Sequence, residues 1–124
     1  MKNKKLITVA VLVLVFFSGV VAGQANLNTM RFPQFENTAV RVWKSRVVPN
    51  SPLPLHRHEH PRVIIALTGG QMKIVEDNGE SEVHQWETGN AYWLPASTPG
   101  TQHTDVNIGD KPIEVMVVEL LNEH

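Results

Sequence analysis

From Ala39 to Leu121 the chain is written as short β-branched segments separated by turn residues, a pattern that leaves little room for anything but an all-β fold. Candidate strands are 39–48, 62–67, 71–76, 81–87, 90–95 and 112–121, and no run of comparable length carries a helical period. Asp77-Asn78-Gly79 signals a hairpin with a primed turn, so 71–76 and 81–87 are expected as antiparallel neighbours. Gly69-Gly70 is expected to supply positive φ for another reversal, and Gly89, Gly109, Pro49, Pro52, Pro54 and Pro61 mark more. In 62–67, Val63, Ile65 and Leu67 share one face and Ile64 and Ala66 the other. Burial on both faces is therefore expected, with Arg62 at the rim or in a functional cavity.

The 124 residues suit one domain. Residues 1–25 differ in composition from the rest: Lys2, Lys4 and Lys5 precede an aliphatic run from Leu6 to Val21, and small residues follow at Ala22, Gly23 and Ala25. That order is expected of a secretory signal peptide, placing the folded part in the periplasm or outside the cell, with no membrane association after cleavage. Cleavage removes three of the eleven basic residues and none of the twelve acidic ones, leaving eight against twelve and a net charge of −4. A chain of that balance with no basic stripe excludes nucleic acid as a natural partner. The chain has no cysteine, so an exported domain of this kind rests on its hydrophobic core. Residues 26–38 are polar apart from Phe32 and Phe35 and are expected as a lead-in on the outside of a domain formed by 39–124.

His56 and His58 stand two apart, which on an extended chain lets both rings converge from one face. A metal site needs a third donor from elsewhere, and His103 is the natural candidate. Three neutral imidazoles with open positions suit zinc, iron, manganese or copper. His60, beside Pro61, is expected in a turn, and His84, between Glu82 and Trp86, as a partly exposed strand residue. Trp86, Tyr92 and Trp93 are expected to serve packing.

These residues resemble the two motifs of the cupin superfamily, G-x5-H-x-H-x3-E-x6-G and G-x5-P-x-G-x2-H-x3-N. The first falls on Asn50, His56, His58, Arg62 and Gly69 with every spacing kept; the second falls on Gly89, Pro95, His103 and Asn107, with Ser97 at the second glycine and three extra residues before the histidine. The resemblance implies an all-β, single-domain, RmlC-like jelly-roll β-barrel of about ten short strands. It also implies a homodimer, a structural role for Asn107, and His56, His58 and His103 as inward-facing metal ligands.

Asn50 for glycine is a mild departure, since Asn tolerates the left-handed region. Arg62 for glutamate is not mild: a guanidinium about 4 Å from a divalent ion is repelled by about 8 kcal/mol at an effective dielectric near 20. Three arrangements follow. Arg62 swings to the rim or pairs with an acid such as Glu59 or Glu119, leaving a three-histidine metal site that the resemblance makes compatible with a dioxygenase-like enzyme; or it holds the carboxylate of a small anionic substrate beside the ion; or there is no metal, and histidines and arginine form a pocket for an anion, either in a non-enzymatic small-ligand-binding or accessory protein or as general acid and base.

Overall fold

The computed structural model describes residues 28–122; the expected export signal, 1–25, lies outside them. Eight strands follow in chain order: β1 (Met30–Glu36), β2 (Val40–Val47), β3 (Arg62–Thr68), β4 (Gly70–Glu76), β5 (Ser81–Trp86), β6 (Ala91–Leu94), β7 (His103–Asn107) and β8 (Ile113–Leu120). They form two antiparallel sheets, ordered β1-β2-β8-β3-β6 and β5-β4-β7. The jelly roll is thus a pair of facing sheets over one core, not a ladder closed into a barrel, and among the described residues it has eight strands where the sequence suggests about ten.

Alternation along β8 positions much of the interior. Ile113, Val115, Val117 and Glu119 are buried while Glu114, Met116, Val118 and Leu120 are only partly so. The inward row therefore begins apolar and ends on a carboxylate. Its neighbours follow the same gradient: Ala66 lies opposite Val115, Ile64 opposite Val117, and Arg62 opposite Glu119. Met72 and Trp86 close the core from the other sheet. One end of the sandwich is packed hydrocarbon and the other carries charge.

Several expectations change. The outer face of β3 is not buried: Val63 and Ile65 are half-covered and Leu67 is exposed, because no second layer lies over that side among the described residues. Within the segment expected as an outside lead-in, residues 30–36 form an edge strand, β1, paired with β2 and carrying Pro33 where an edge tolerates it. Its polarity conceals it because Phe32 packs against cations, with Lys44 at 5.0 Å and Arg46 at 4.9 Å from its ring. The hairpin at 77–79 forms, but only Gly79 takes positive φ, so it is a three-residue loop and not a primed two-residue turn.

Two motif positions show why their residues are there. Asn50 adopts φ 61°, the left-handed conformation that its replacement of glycine requires. Asn107, 2 % exposed, donates from Nδ2 to the carbonyls of Val47 (2.8 Å) and Lys111 (2.7 Å) and accepts from the Gly109 N–H at 2.9 Å. It ties β2 and the β7–β8 turn together.

Candidate metal centre

His56 and His58 lie on the segment between β2 and β3, which runs beside β7 without being a regular strand. Backbone pairing holds it there: His56 N–H donates to His103 O at 2.9 Å, and His103 N–H donates back to His56 O at 2.7 Å. Ser97, at the position of the second motif's glycine, pins the next histidine from both sides. Its Oγ accepts from the His58 N–H at 2.9 Å and its own N–H donates to His58 O at 2.8 Å. The three extra residues are absorbed in a turn, closed by Thr101 N–H on Thr98 O at 3.1 Å, with Gly100 at φ 80°.

The three rings converge as expected. Centroids of His56 and His103 are 4.5 Å apart, those of His56 and His58 5.0 Å, and those of His58 and His103 5.4 Å. One nitrogen from each lies within 4.8 Å of the others. The Nδ1 of His56 is 2.7 Å from Pro54 O, an acceptor only, so Nδ1 carries the proton and Nε2 offers a lone pair. His56 Nε2 and His103 Nε2 are both buried and make no hydrogen bond. Buried polar atoms are rarely left so, and imidazole nitrogens without partners are what a cation would satisfy. The residues fit a divalent ion.

Electrostatics keep the cluster receptive. Burial, reinforced by Arg62, His56, His103 and Arg31, lowers the His58 imidazole from its usual 6.5 to about 2. Burial lowers His103 too, opposed by Asp105. Neutral rings need shed no proton before binding a metal. The sign for stability follows: below pH 6.5 the unfolded chain takes up a proton that folded His58 refuses, so stability is present above that pH and is lost as pH falls toward 2. For the metal-free protein we expect the unfolding free energy to drop by up to about 1.4 kcal/mol per pH unit between pH 6 and 4. Denaturant titrations across that range check it, and a flat profile would place His58 outside the interior.

Arg62 is 7 % exposed and points inward with Ile64 and Ala66. It does not swing to the rim and makes no contact ion pair among the described residues; its Nη1 donates to Pro95 O at 3.2 Å. Burial brings the guanidinium down to about 10, with Asp105 and Glu119 opposing and Arg31 assisting, so it stays charged at neutral pH. Buried Glu119 lies 3.8 Å from His58 Nδ1 and accepts from Arg41 at 3.2 Å. Arg62, His58 and Asp105 border an interior cavity of about 30 Å³, and Arg62 and His103 also border an outer groove of about 190 Å³.

Three residues enter the site without a signal in the motifs. Asp105 comes from β7, two residues after His103 and on the same face. Arg31 comes from β1, its guanidinium 5.0 Å over the Trp43 ring, and borders the interior cavity. Trp43 itself stacks on His58 with centroids 6.2 Å apart. Period-two alternation finds Asp105 once 103–107 is read as a strand. His60 and His84 stay outside the cluster, His84 half-exposed on β5 as expected. Trp86 and Tyr92 pack in or against the core, whereas Trp93 is 58 % exposed.

The two-sheet jelly roll carries at one end three histidines placed so that they could hold a metal ion. No protein-family profile matches the sequence, and no curated protein matches it. Solved structures do. The chain is similar to a cupin-domain protein of Bordetella pertussis Tohama I at 25 % identity and a TM-score of 0.65, over 75 % of this chain and 93 % of that one. It is similar to an RmlC-like cupin of Methanocaldococcus jannaschii at 16 % identity and a TM-score of 0.59, over 75 % and 80 %. It is also similar to the polyketide cyclase RemF of Streptomyces resistomycificus at 24 % identity and a TM-score of 0.55, over 77 % and 66 %. The chain has the double-stranded β-helix fold of the cupin and RmlC-like proteins.

Proposed function

We propose that this protein is an exported cupin that binds one divalent metal ion on His56, His58 and His103 and, beside it, a small anionic molecule held by Arg62. The observation that carries the reading is the pair of buried histidine nitrogens without hydrogen-bond partners, facing each other next to a third, neutral ring. A buried arginine kept charged beside that cluster supports the anion, because a guanidinium taken from water calls for a counter-charge. The space bordering it seats a small molecule with its charged end toward Arg62 and the remainder in the groove of about 190 Å³. A bound ion of this type supplies Lewis-acid polarisation and, if redox-active, electron transfer for oxygenase-like chemistry. The chain's own residues orient the anion, fix the His56 tautomer through Pro54 and hold the His58 backbone through Ser97.

A homodimer belongs to the same proposal. Val42, Val118, Val63 and Trp93 lie side by side across four strands, and apart from the buried Val42 they are half-covered or exposed on the outer face of the larger sheet, so a second copy would have an apolar row to cover.

The test is elemental analysis of residues 26–124 purified without an affinity tag, followed by acetate titration of the Co²⁺-loaded protein, monitored by visible absorption. Stoichiometric metal, with acetate binding weakened about tenfold or more in Arg62→Ala, is expected. Metal-free protein that also refuses reconstitution would overturn the metal reading in favour of a histidine and arginine pocket for an anion. Acetate binding unchanged in Arg62→Ala would remove that residue's role.

A further inference from the structure

The position that carries a glutamate in the motif carries Arg62, which leaves the cluster without the carboxylate expected from that strand. The fold brings one in from another direction. Asp105 follows His103 by two residues on β7, so its side chain projects from the same face, and its carboxylate reaches both unpartnered rings. Oδ2 lies 3.4 Å from His56 Nε2 and Oδ1 lies 3.7 Å from His103 Nε2. These are the same two nitrogens that make no hydrogen bond.

The distances separate two accounts of this contact. A charge-assisted hydrogen bond between imidazole and carboxylate closes to about 2.7–2.9 Å. Neither contact does so, although one carboxylate faces two rings and could turn toward either. Two donors each about 2.0–2.2 Å from a single tetrahedral ion stand about 3.4 Å apart. The spacing is thus that of groups arranged about a common point and not of groups bonded to each other. The backbone at this position is pinned as well, since Asp105 O accepts from Leu53 N–H at 3.2 Å.

Charge supports the same assignment. Imidazole ligands bring no charge to a divalent ion, and Arg62 adds a repulsive one. A carboxylate on the histidine side of the pocket offsets both.

We infer that Asp105 is the fourth ligand of the metal site, replacing from β7 the carboxylate that the strand bearing Arg62 does not supply. The inference rests on the metal reading above. It assigns the site a three-histidine, one-carboxylate donor set and leaves Arg62 free for an anion.

Calorimetric titration of the mature chain with Zn²⁺ alone, in wild type, Asp105→Asn and Asp105→Glu, tests it. Asp105→Asn should weaken Zn²⁺ binding by about 100-fold or more, and Asp105→Glu should recover part of the loss. Should Asp105→Asn fail to fold, a zinc-soaked crystal of the wild type decides: an Asp105 oxygen within about 2.2 Å of the anomalous peak supports the assignment. Wild-type affinity in Asp105→Asn, or water at that coordination position with Asp105 outside it, overturns it while leaving the three-histidine site standing. A wild type that binds no Zn²⁺ overturns both readings.

Discussion

His58→Ala is expected to weaken the proposed binding of a divalent ion by about 10²–10³-fold while leaving the fold in place. Structural zinc sites with four ligands are worth roughly 10–16 kcal/mol, so one ligand carries about 3–4 kcal/mol, a loss on the order of 10²–10³-fold in affinity. The segment should keep its position, because Ser97 holds the His58 backbone through both its N–H and its carbonyl and neither bond involves the ring. The same substitution removes the buried ring that refuses a proton, so the metal-free variant should lose less stability than wild type between pH 6 and 4. Zn²⁺ titration and denaturant unfolding on one preparation read both effects. Retained metal with an unchanged pH profile would show that His58 does not face the cluster.

Gly69→Ala is expected to be the most damaging single methyl group in the chain. A Cβ there would lie 2.1 Å from Trp86 O, 2.8 Å from Thr88 N and 2.9 Å from Trp86 C, all backbone atoms. Gly69 N–H also donates to Thr88 Oγ1 at 3.0 Å, which fixes the approach from the other side. Relief requires moving the end of β5, and with it Trp86, which is 5 % exposed in the core. A cost above about 4 kcal/mol follows, against the 0.5–3 kcal/mol of ordinary substitutions. Urea unfolding measures it, and a variant within about 1 kcal/mol of wild type would contradict the close approach. The glycine ending the first motif is therefore required by crowding, where the sequence suggests a left-handed turn.

Six of the eight strands can be read from β-branched alternation to within two residues at either end. The two that cannot are polar for identifiable reasons. In β1, Phe32 sits among Lys44 and Arg46 and Arg31 covers Trp43, so its contacts are between rings and cations and leave no apolar period. In β7 the inward residues are His103, Asp105 and Asn107, a row made of site and structural hydrogen-bonding groups instead of hydrocarbon. Functional polarity erases the hydrophobic signal on which strand reading depends. Overlooking these strands hides Arg31 and Asp105, since a residue's direction can be told only once its strand is known.

Sequence alone determined the all-β class, the hairpin at 77–79 and the three histidines, because turn chemistry and ligand spacing are local properties of the chain. The tertiary structure alone decided where charge sits around those histidines. Arg62 turns inward because Ile64 and Ala66 on the same face must be buried, and Glu119 ends opposite it because Val115 and Val117 must be. Asp105 meets His56 across 49 positions of sequence because the 53–58 segment pairs with β7. Antiparallel register is a long-range pairing, so the direction of each of these charges became definite only when the two sheets closed over their shared core.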